Sequence, residues 1–495
     1  MSKSLELLST IPDKSMGTRR IVSFNVCGIK NVLNYIPWCD NKSFAHMFHA
    51  LQADIVCFQE TKIQANDLTV DMALIPGYNS YFTFPSHKKG YSGVAIYVKD
   101  DISVLKAEKG ITGWLESDDM KGRCYRELPE DKMIGGYPSG VDKKSGADID
   151  SEGRAIMLDL GSCILIGLYC PANSTGDREN YKKAFLECLD ARVRSLIYDH
   201  GRKVILLGDL NIARELIDSA DARQEWFKLG KVKRAETGEE FRVLNKDAMG
   251  EWKSSTFSRK LLNEWIEDST VALIDTTRSM HPHRLGMYTC WNLKIGARAG
   301  NFGSRIDYIL TSADFCVRKA DILPELLGSD HCPVFADIVL ETVESAPAAP
   351  RMCTMYTPRF KKGTILHHFT VSKTGRATTP ERPASTNSDH IRKTGSQVAK
   401  SRGGKKHAAG RQQASIFNFL PTTLSLPNID DVPGGESKLE SSASNESAED
   451  RKRQWSAIFT PPTPPLCTQH GEPCKLMVTK KDGPNRGRAF WMCSR

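Results

Sequence analysis

Over its 495 residues the chain has no apolar run of the roughly 18 residues that a membrane span requires. Its first ten residues, M-S-K-S-L-E-L-L-S-T, carry an acid and lack a hydrophobic signal core. The protein is therefore expected to be soluble and intracellular, with no membrane partner. Its 14 cysteines lack the dense, even spacing of a secreted disulfide framework. Cys57, Cys163 and Cys170 fall in apolar runs, where a reduced cysteine serves as a small core residue. Large apolar residues are scarce over 345–465, a stretch of Ser, Thr, Pro, Ala, Gly and basic residues. Burial there cannot offset the entropy of ordering the chain, so 345–466 is expected to be a disordered linker. Acids are scarce in part of it too. Residues 351–411 hold 14 Lys and Arg against two Asp and Glu, a local +12 in a chain whose total is +9. The basic character lies in the linker, where it suits either solvation or loose attraction to a polyanion.

Regular patterns fill residues 1–344. Short apolar runs at 21–25, 55–58, 93–98, 154–160, 163–169, 204–207, 306–310 and 334–340 read as strands, and 35–51 and 178–200 as helices. Strands outnumber helices and hairpin-like pairs dominate, which predicts two packed sheets with helices outside them. Between about 111 and 153 the pattern fails, and a long, acidic and Gly-rich insertion between two strands, either mobile or a surface loop, is expected there.

The strongest signal is the repeated ending of these strands on a polar group. K-V-I-L-L-G-D-L-N at 203–211 is an apolar run that Gly208 is expected to break, so that Asp209 and Asn211 emerge at its end. The same design gives Asn25 in I-V-S-F-N, Glu60 in I-V-C-F-Q-E, Tyr169 in Y-C-P, Asp307 in R-I-D-Y-I-L, and Asp330 with His331 in G-S-D-H-C-P. Each alone is weak, because an Asp after a strand is usually a turn former. Together they make a set with a chemistry. Glu60, with Asn25 and Asp330, offers hard oxygen ligands suited to Mg²⁺ or Mn²⁺, and Asp209, Asn211 and His331 complete the groups that could reach such an ion. Asp209 would activate a water that Asn211 orients. His331, held by Asp307, would donate to a phosphate oxygen as charge builds. The set suits phosphodiester hydrolysis without a covalent nucleophile.

S-F-N-V, Q-E-T-K, Y-C-P, G-D-L-N, R-I-D-Y and G-S-D-H-C-P, in this order over about 19–342, resemble the endonuclease/exonuclease/phosphatase superfamily and, within it, the exonuclease III type of apurinic/apyrimidinic (AP) endonuclease. The resemblance implies a four-layered α-β-β-α sandwich. It implies Glu60 as principal metal ligand with Asn25 and Asp330 as helpers, Asp209 as water activator, Tyr169 as a phosphate contact, and Asp307 with His331 as the Asp-His pair. Single-domain members read Y-x-P-N, whereas Ala172 here separates Pro171 from Asn173. Trp291 in Y-T-C-W is the aromatic nominated to wedge against a damaged or terminal nucleotide, with a packed core position as the alternative.

Two signals lie beyond the core. Within the linker, Gln413, Ile416, Phe419 and Leu420 form an apolar island, 413–420, that resembles the sliding-clamp (PCNA) interacting peptide, with Leu420 in place of the usual second aromatic. At 467–495, Cys467, His470, Cys474 and Cys493 have spacing suited to one tetrahedral Zn²⁺. The intervening V-T-K-K-D-G-P-N-R-G-R-A-F-W resembles the GRF zinc finger. That resemblance implies phosphate contacts from Lys480, Lys481, Arg486 and Arg488, and packing or base stacking by Phe490 and Trp491, giving single-strand DNA binding. Such fingers usually continue to a further Cys, whereas this sequence stops at Arg495; either Cys474 completes the site or the finger is metal-poor. Core, clamp peptide and finger in this order are similar to the AP endonuclease 2 family, which implies a monomeric nuclear DNA-repair enzyme with 3′–5′ exonuclease, 3′-phosphodiesterase and AP-site activities. A lipid or nucleotide phosphatase of the same superfamily, or an inactive clamp and DNA scaffold, are the alternatives.

Overall fold

The computed structural model describes residues 3–360, apart from 174–175, 268–270, 342 and 344–347, and further on 471, 473–478 and 489–492. In chain order its strands are β1 Arg19–Asn25, β2 Ile55–Gln59, β3 Tyr78–Thr83, β4 Val94–Lys99, β5 Lys106–Lys109, β6 Ala155–Asp159, β7 Ile164–Tyr169, β8 Val204–Asp209, β9 Leu273–Asp275, β10 Cys290–Trp291, β11 Gly303–Ser304, β12 Asp307–Ser312, β13 Val317–Ile322 and β14 Val334–Ile338. One six-stranded sheet has the order β13-β14-β1-β2-β4-β3, the other β5-β6-β7-β8-β12-β9, and β10 pairs with β11 as a separate ribbon. The sheets pack face to face with helices on their outer faces, the four-layered sandwich that the resemblance implied.

Alternation within the central strands builds these layers. In β8, Ile205 and Leu207 meet the facing sheet, whereas Val204 and Leu206 join an outer layer with Phe185, Leu189 and Val193 of helix Glu179–Tyr198. In β2, Ile55 and Cys57 face inward, whereas Val56 and Phe58 pack with Phe44, Met47 and Phe48 of helix Phe44–Ala50. A strand covered on both faces must be apolar at odd and even positions alike, which is why these runs are unbroken.

Strand direction decides where the polar ends go. β1 and β2 run parallel, as do β7 and β8, so Asn25, Gln59, Tyr169 and Asp209 close their strands at one end of the molecule. β12 and β14 run antiparallel to β8 and β1, and they deliver their first residues to that same end. Asp307 lies directly opposite Asp209 in the ladder.

Three expectations need amendment. The helix expected over 35–51 is shorter, because 3₁₀ turns at Val32–Asn34 and Trp38–Asn41, flanking Pro37, precede a helix that Ser43 caps. The insertion around 111–153 is a packed flap: Ile134, Val141 and Ile149 join the layer outside the second sheet. Buried Glu108 ties it down, accepting hydrogen bonds from Ile134 N and Tyr137 Oη at 2.7 Å and from Arg192 Nη2 at 2.8 Å. Packed structure also runs past 344, since Cys353 and Phe360 are buried and Cys353 bridges to Tyr81 on edge strand β3.

Near the C-terminus β15, Lys475–Val478, pairs antiparallel with β16, Ala489–Met492, and Cys474 directly precedes β15. The clamp-peptide residues Gln413, Ile416, Phe419 and Leu420 lie outside the described residues, as do most of the linker, Cys467, His470, Lys480, Lys481, Arg486, Arg488 and Cys493. Among the described residues, no helix is long and apolar enough to cross a membrane.

Candidate active site

The polar strand ends converge into one connected set. Asn25 Nδ2 donates to Glu60 Oε1 at 3.0 Å and to Asp209 Oδ2 at 2.9 Å, so one amide from the first sheet bridges carboxylates from both sheets. His331 Nδ1 lies 2.8 Å from Asp307 Oδ2, and its Nε2 is 3.8 Å from Asp209 Oδ2. Asn211 closes the turn after β8: its N–H donates to Asp209 Oδ1 at 2.8 Å and its side-chain amide to Cys170 O at 3.0 Å. Glu60 and Asn211 take left-handed backbone, with φ of +51° and +52°. That conformation is strained for a glutamate and clusters at functional sites. Asn25 Oδ1 meanwhile accepts from Cys27 N, so in this orientation Asn25 presents its N–H, not its oxygen, to the carboxylates.

Burial sharpens the charges. Burial and the adjoining Asp307 push the Asp209 carboxyl up to about 7, against the pull of His331. Burial alone would raise Glu60 too, but Lys62, with Nζ 2.8 Å from Oε2, and the Asn25 N–H hold it below the usual carboxylate range. Burial opposes charge on His331, yet Asp307 and then Cys290 hold its pKa well above the ordinary imidazole value. The histidine is thus a cationic donor at neutral pH.

Whether a divalent cation suits these residues can be tested on their donors. Four carboxylates (Glu60, Asp209, Asp307 and Asp330) gather here; among the described residues Lys62 and His331 pair with them directly, while Lys182 and Arg298 act on Asp209 and Asp330 from farther off, and buried Asp307 Oδ1 has no hydrogen-bond partner. Asp209, Asp307 and His331 lie close enough together to share an ion, but His331 Nδ1 is committed to Asp307. Glu60 and Asp330 both act on the thiol of Cys27, and neither is tied to the His331–Asp307 pair, although Glu60 accepts from Asn25 and pairs with Lys62. Hard oxygen donors with a surplus of negative charge fit a hard divalent ion.

Comparison with known proteins agrees with this geometry. Residues 22–331 match the endonuclease/exonuclease/phosphatase family, and 465–495 match the GRF zinc finger. The chain is 34% identical to the DNA-(apurinic or apyrimidinic site) endonuclease 2 of Schizosaccharomyces pombe, over 96% of this chain and 93% of the relative. It is 32% identical to the human protein of that description, over 96% of both. The chain belongs to the endonuclease/exonuclease/phosphatase family, on its AP endonuclease 2 branch. The crystal structure of the Xenopus laevis APE2 catalytic domain superposes with a TM-score of 0.54 at 28% identity, covering 69% of this chain and 98% of that one.

Within this AP endonuclease 2 fold the other nominated residues sort clearly. Tyr169 is buried beside Glu60 and Asp209, with the Arg154 guanidinium 4.7 Å from its ring centre. Asp330 is half-buried and accepts from Ser329 Oγ at 3.1 Å. Asn173 is occupied locally, its side chain donating to Glu179 and accepting from Arg178 N, although it borders the cleft beside Asn211. Trp291 is not a wedge. It is 2% exposed, covered by Arg298 at 4.6 Å and bonded through Nε1 to Asn301, so it cannot stack on a nucleotide. The side chains of Phe490 and Trp491 are outside the described set. Sequence reading assigned no role to Lys62, although it stands in the Q-E-T-K motif. It likewise missed Thr289, whose hydroxyl accepts from the N–H groups of Ile306 and Asp307 at 3.0 and 3.2 Å and fixes the start of β12.

Proposed function

We propose that this DNA-repair nuclease hydrolyses DNA at 3′ ends, as a 3′–5′ exonuclease and 3′-phosphodiesterase, and at abasic sites. The observation that carries this reading is the Asn25 amide joining Glu60 to Asp209, next to a His331–Asp307 pair at 2.8 Å. Asp209 accepts the proton of the attacking water, and Asn211, held by the Asp209 and Cys170 oxygens, orients it. His331 donates from Nε2 to the non-bridging oxygen of the scissile phosphate while Asp307 keeps its ring in place. Tyr169 abuts the phosphate. Glu60 and Asp330 would hold Mg²⁺ or Mn²⁺, with Asn25, Asp209 and Asn211 around them, and the ion when bound neutralises phosphate charge and steadies the leaving oxygen.

The GRF match supports Zn²⁺ on Cys467, His470, Cys474 and Cys493, and single-strand binding through Lys480, Lys481, Arg486, Arg488, Phe490 and Trp491. Recruitment by PCNA through Gln413, Ile416, Phe419 and Leu420, and a nuclear, monomeric state, complete the reading.

The full chain should be assayed side by side on a recessed 3′ end, an abasic duplex and a soluble phosphoinositide. We expect hydrolysis of both DNA substrates, with no phosphoinositide turnover. Asp209→Asn and Glu60→Ala should each lower kcat by about 10²–10³-fold. Wild-type rates in both variants would end the hydrolytic assignment, and phosphoinositide turnover would redirect it to a phosphatase.

A further inference from the structure

A cleft of about 500 Å³ opens beside the active site, running from Asn211 past the first turn of helix Phe257–Glu267 to Trp226 and Trp252. Its cations are unusual in lacking acidic partners. Lys182, 6% exposed, spends one of its three N–H donors on Asn211 O at 2.8 Å, and no carboxylate among the described residues lies within ion-pair distance of it. Arg259 likewise has no acidic partner there. It donates to Ala213 O and Ser255 Oγ at 3.2 and 2.8 Å, and its guanidinium lies 3.5 Å from the ring centre of Trp252. Trp252, 8% exposed in the cleft wall, has an indole N–H with no acceptor. The acids on this cleft are Glu179, which Asn173 occupies, and Asp221 and Glu225 on helix Ala220–Lys228.

A buried cation with no carboxylate in contact, only Glu179 and Asp209 acting on Lys182 from farther off, costs stability that an anionic ligand would restore. Unspent N–H donors and a helix N-terminus in one cleft suit an oxyanion. We propose that this cleft is a second phosphate subsite, in which Lys182 and Arg259 hold the phosphodiester one nucleotide from the scissile one on the strand being cut. Lys182 is tied to the carbonyl of Asn211, two residues beyond Asp209, which sets its ammonium beside the end of β8. The inference rests on the nuclease reading above and adds a binding contact to it.

The test is single-turnover cleavage of a recessed duplex by the full chain, with a neutral methylphosphonate replacing the phosphate next to the scissile one. Wild type should lose about tenfold in kcat/KM on that substrate. Lys182→Met and Arg259→Gln should be slower on unmodified DNA but nearly indifferent to the replacement, and each should lower the salt slope of binding by about 0.9. Arg259→Lys, which keeps the charge, should stay sensitive. Lys182→Met should melt no lower than wild type, which separates lost binding from misfolding. Equal sensitivity in wild type and both neutral variants, or none in wild type, would overturn the subsite. Failure of wild type to cut unmodified DNA would instead sink the nuclease reading itself.

Discussion

Asp218 shows how one buried residue holds the start of β12 in place. Its carboxylate accepts from Arg305 Nε at 2.8 Å and Nη2 at 3.0 Å and from Arg278 Nη2 at 2.5 Å, and its carbonyl takes the Arg305 N–H. Arg305 stands two residues before Asp307, so this pair sets where the partner of His331 begins. Burial opposes charge on Asp218, but Arg305 and Arg278 outweigh it and depress the pKa far below the ordinary carboxylate value. A depressed carboxylate adds stability above its unfolded pKa of about 3.9, and that stability is lost as pH falls through the folded value. Asp218→Asn should therefore cost about 3 kcal/mol at neutral pH, because Arg278 loses its counter-charge and Arg305 keeps only Asp275, 2.8 Å from its Nη2. Thermal melts from pH 7 down to pH 3 should show the gap between wild type and variant holding to about pH 4 and only beginning to narrow below it. At this scale the candidate site was largely legible: Asn25, Glu60, Asp209, Asp307 and His331 each end or begin an apolar run. Trp291 was not, since Y-T-C-W reads the same whether the indole is capped by Arg298 or bare.

Gly208 carries the corresponding lesson for a secondary-structure element. The run at 203–211 suggested that glycine ends the strand, yet β8 continues through it to Asp209. Its φ is +144°, and a Cβ there would sit 1.8 Å from the Leu168 carbonyl oxygen on β7. The glycine lets two parallel strands pass in contact just before Asp209. Gly208→Ala should destabilise the fold by about 3 kcal/mol and lower activity together with it, as read by melting and cleavage rates on the same preparation. Strand identity was legible because a doubly covered strand is apolar throughout. The left-handed turns at Glu60 and Asn211 were not, since nothing in Q-E-T or D-L-N demands positive φ. The insertion was misread for a related reason. Its order comes from distant groups, Arg192 on Glu108 and Asp150 beneath Ile111 and Thr112, rather than from any period of its own.

For the whole molecule, the proposed reading assigns chemistry to the sandwich and recruitment to the linker. If the apolar island at 413–420 brings the enzyme to a sliding clamp, deleting 412–421 should abolish stimulation by PCNA while leaving the basal rate on a recessed 3′ end unchanged. Equal stimulation of the deleted form would disprove the assignment, and a primer-extension-style gel with and without clamp decides it.

The bridge from Cys353 to Tyr81 has a practical corollary. β3 is the last strand of its sheet, and an outermost strand with bare amides invites another chain to add itself. Residues 351–360 lie over that margin, anchored by Phe360 and by Thr354 Oγ1 on the Ala73 carbonyl. Anyone trimming the protein to its enzymatic half would be tempted to cut just after β14. Cutting there would strip away the selvedge that keeps the cloth from fraying, and the shortened enzyme should clump in the tube, whereas one cut beyond Phe360 should stay in solution.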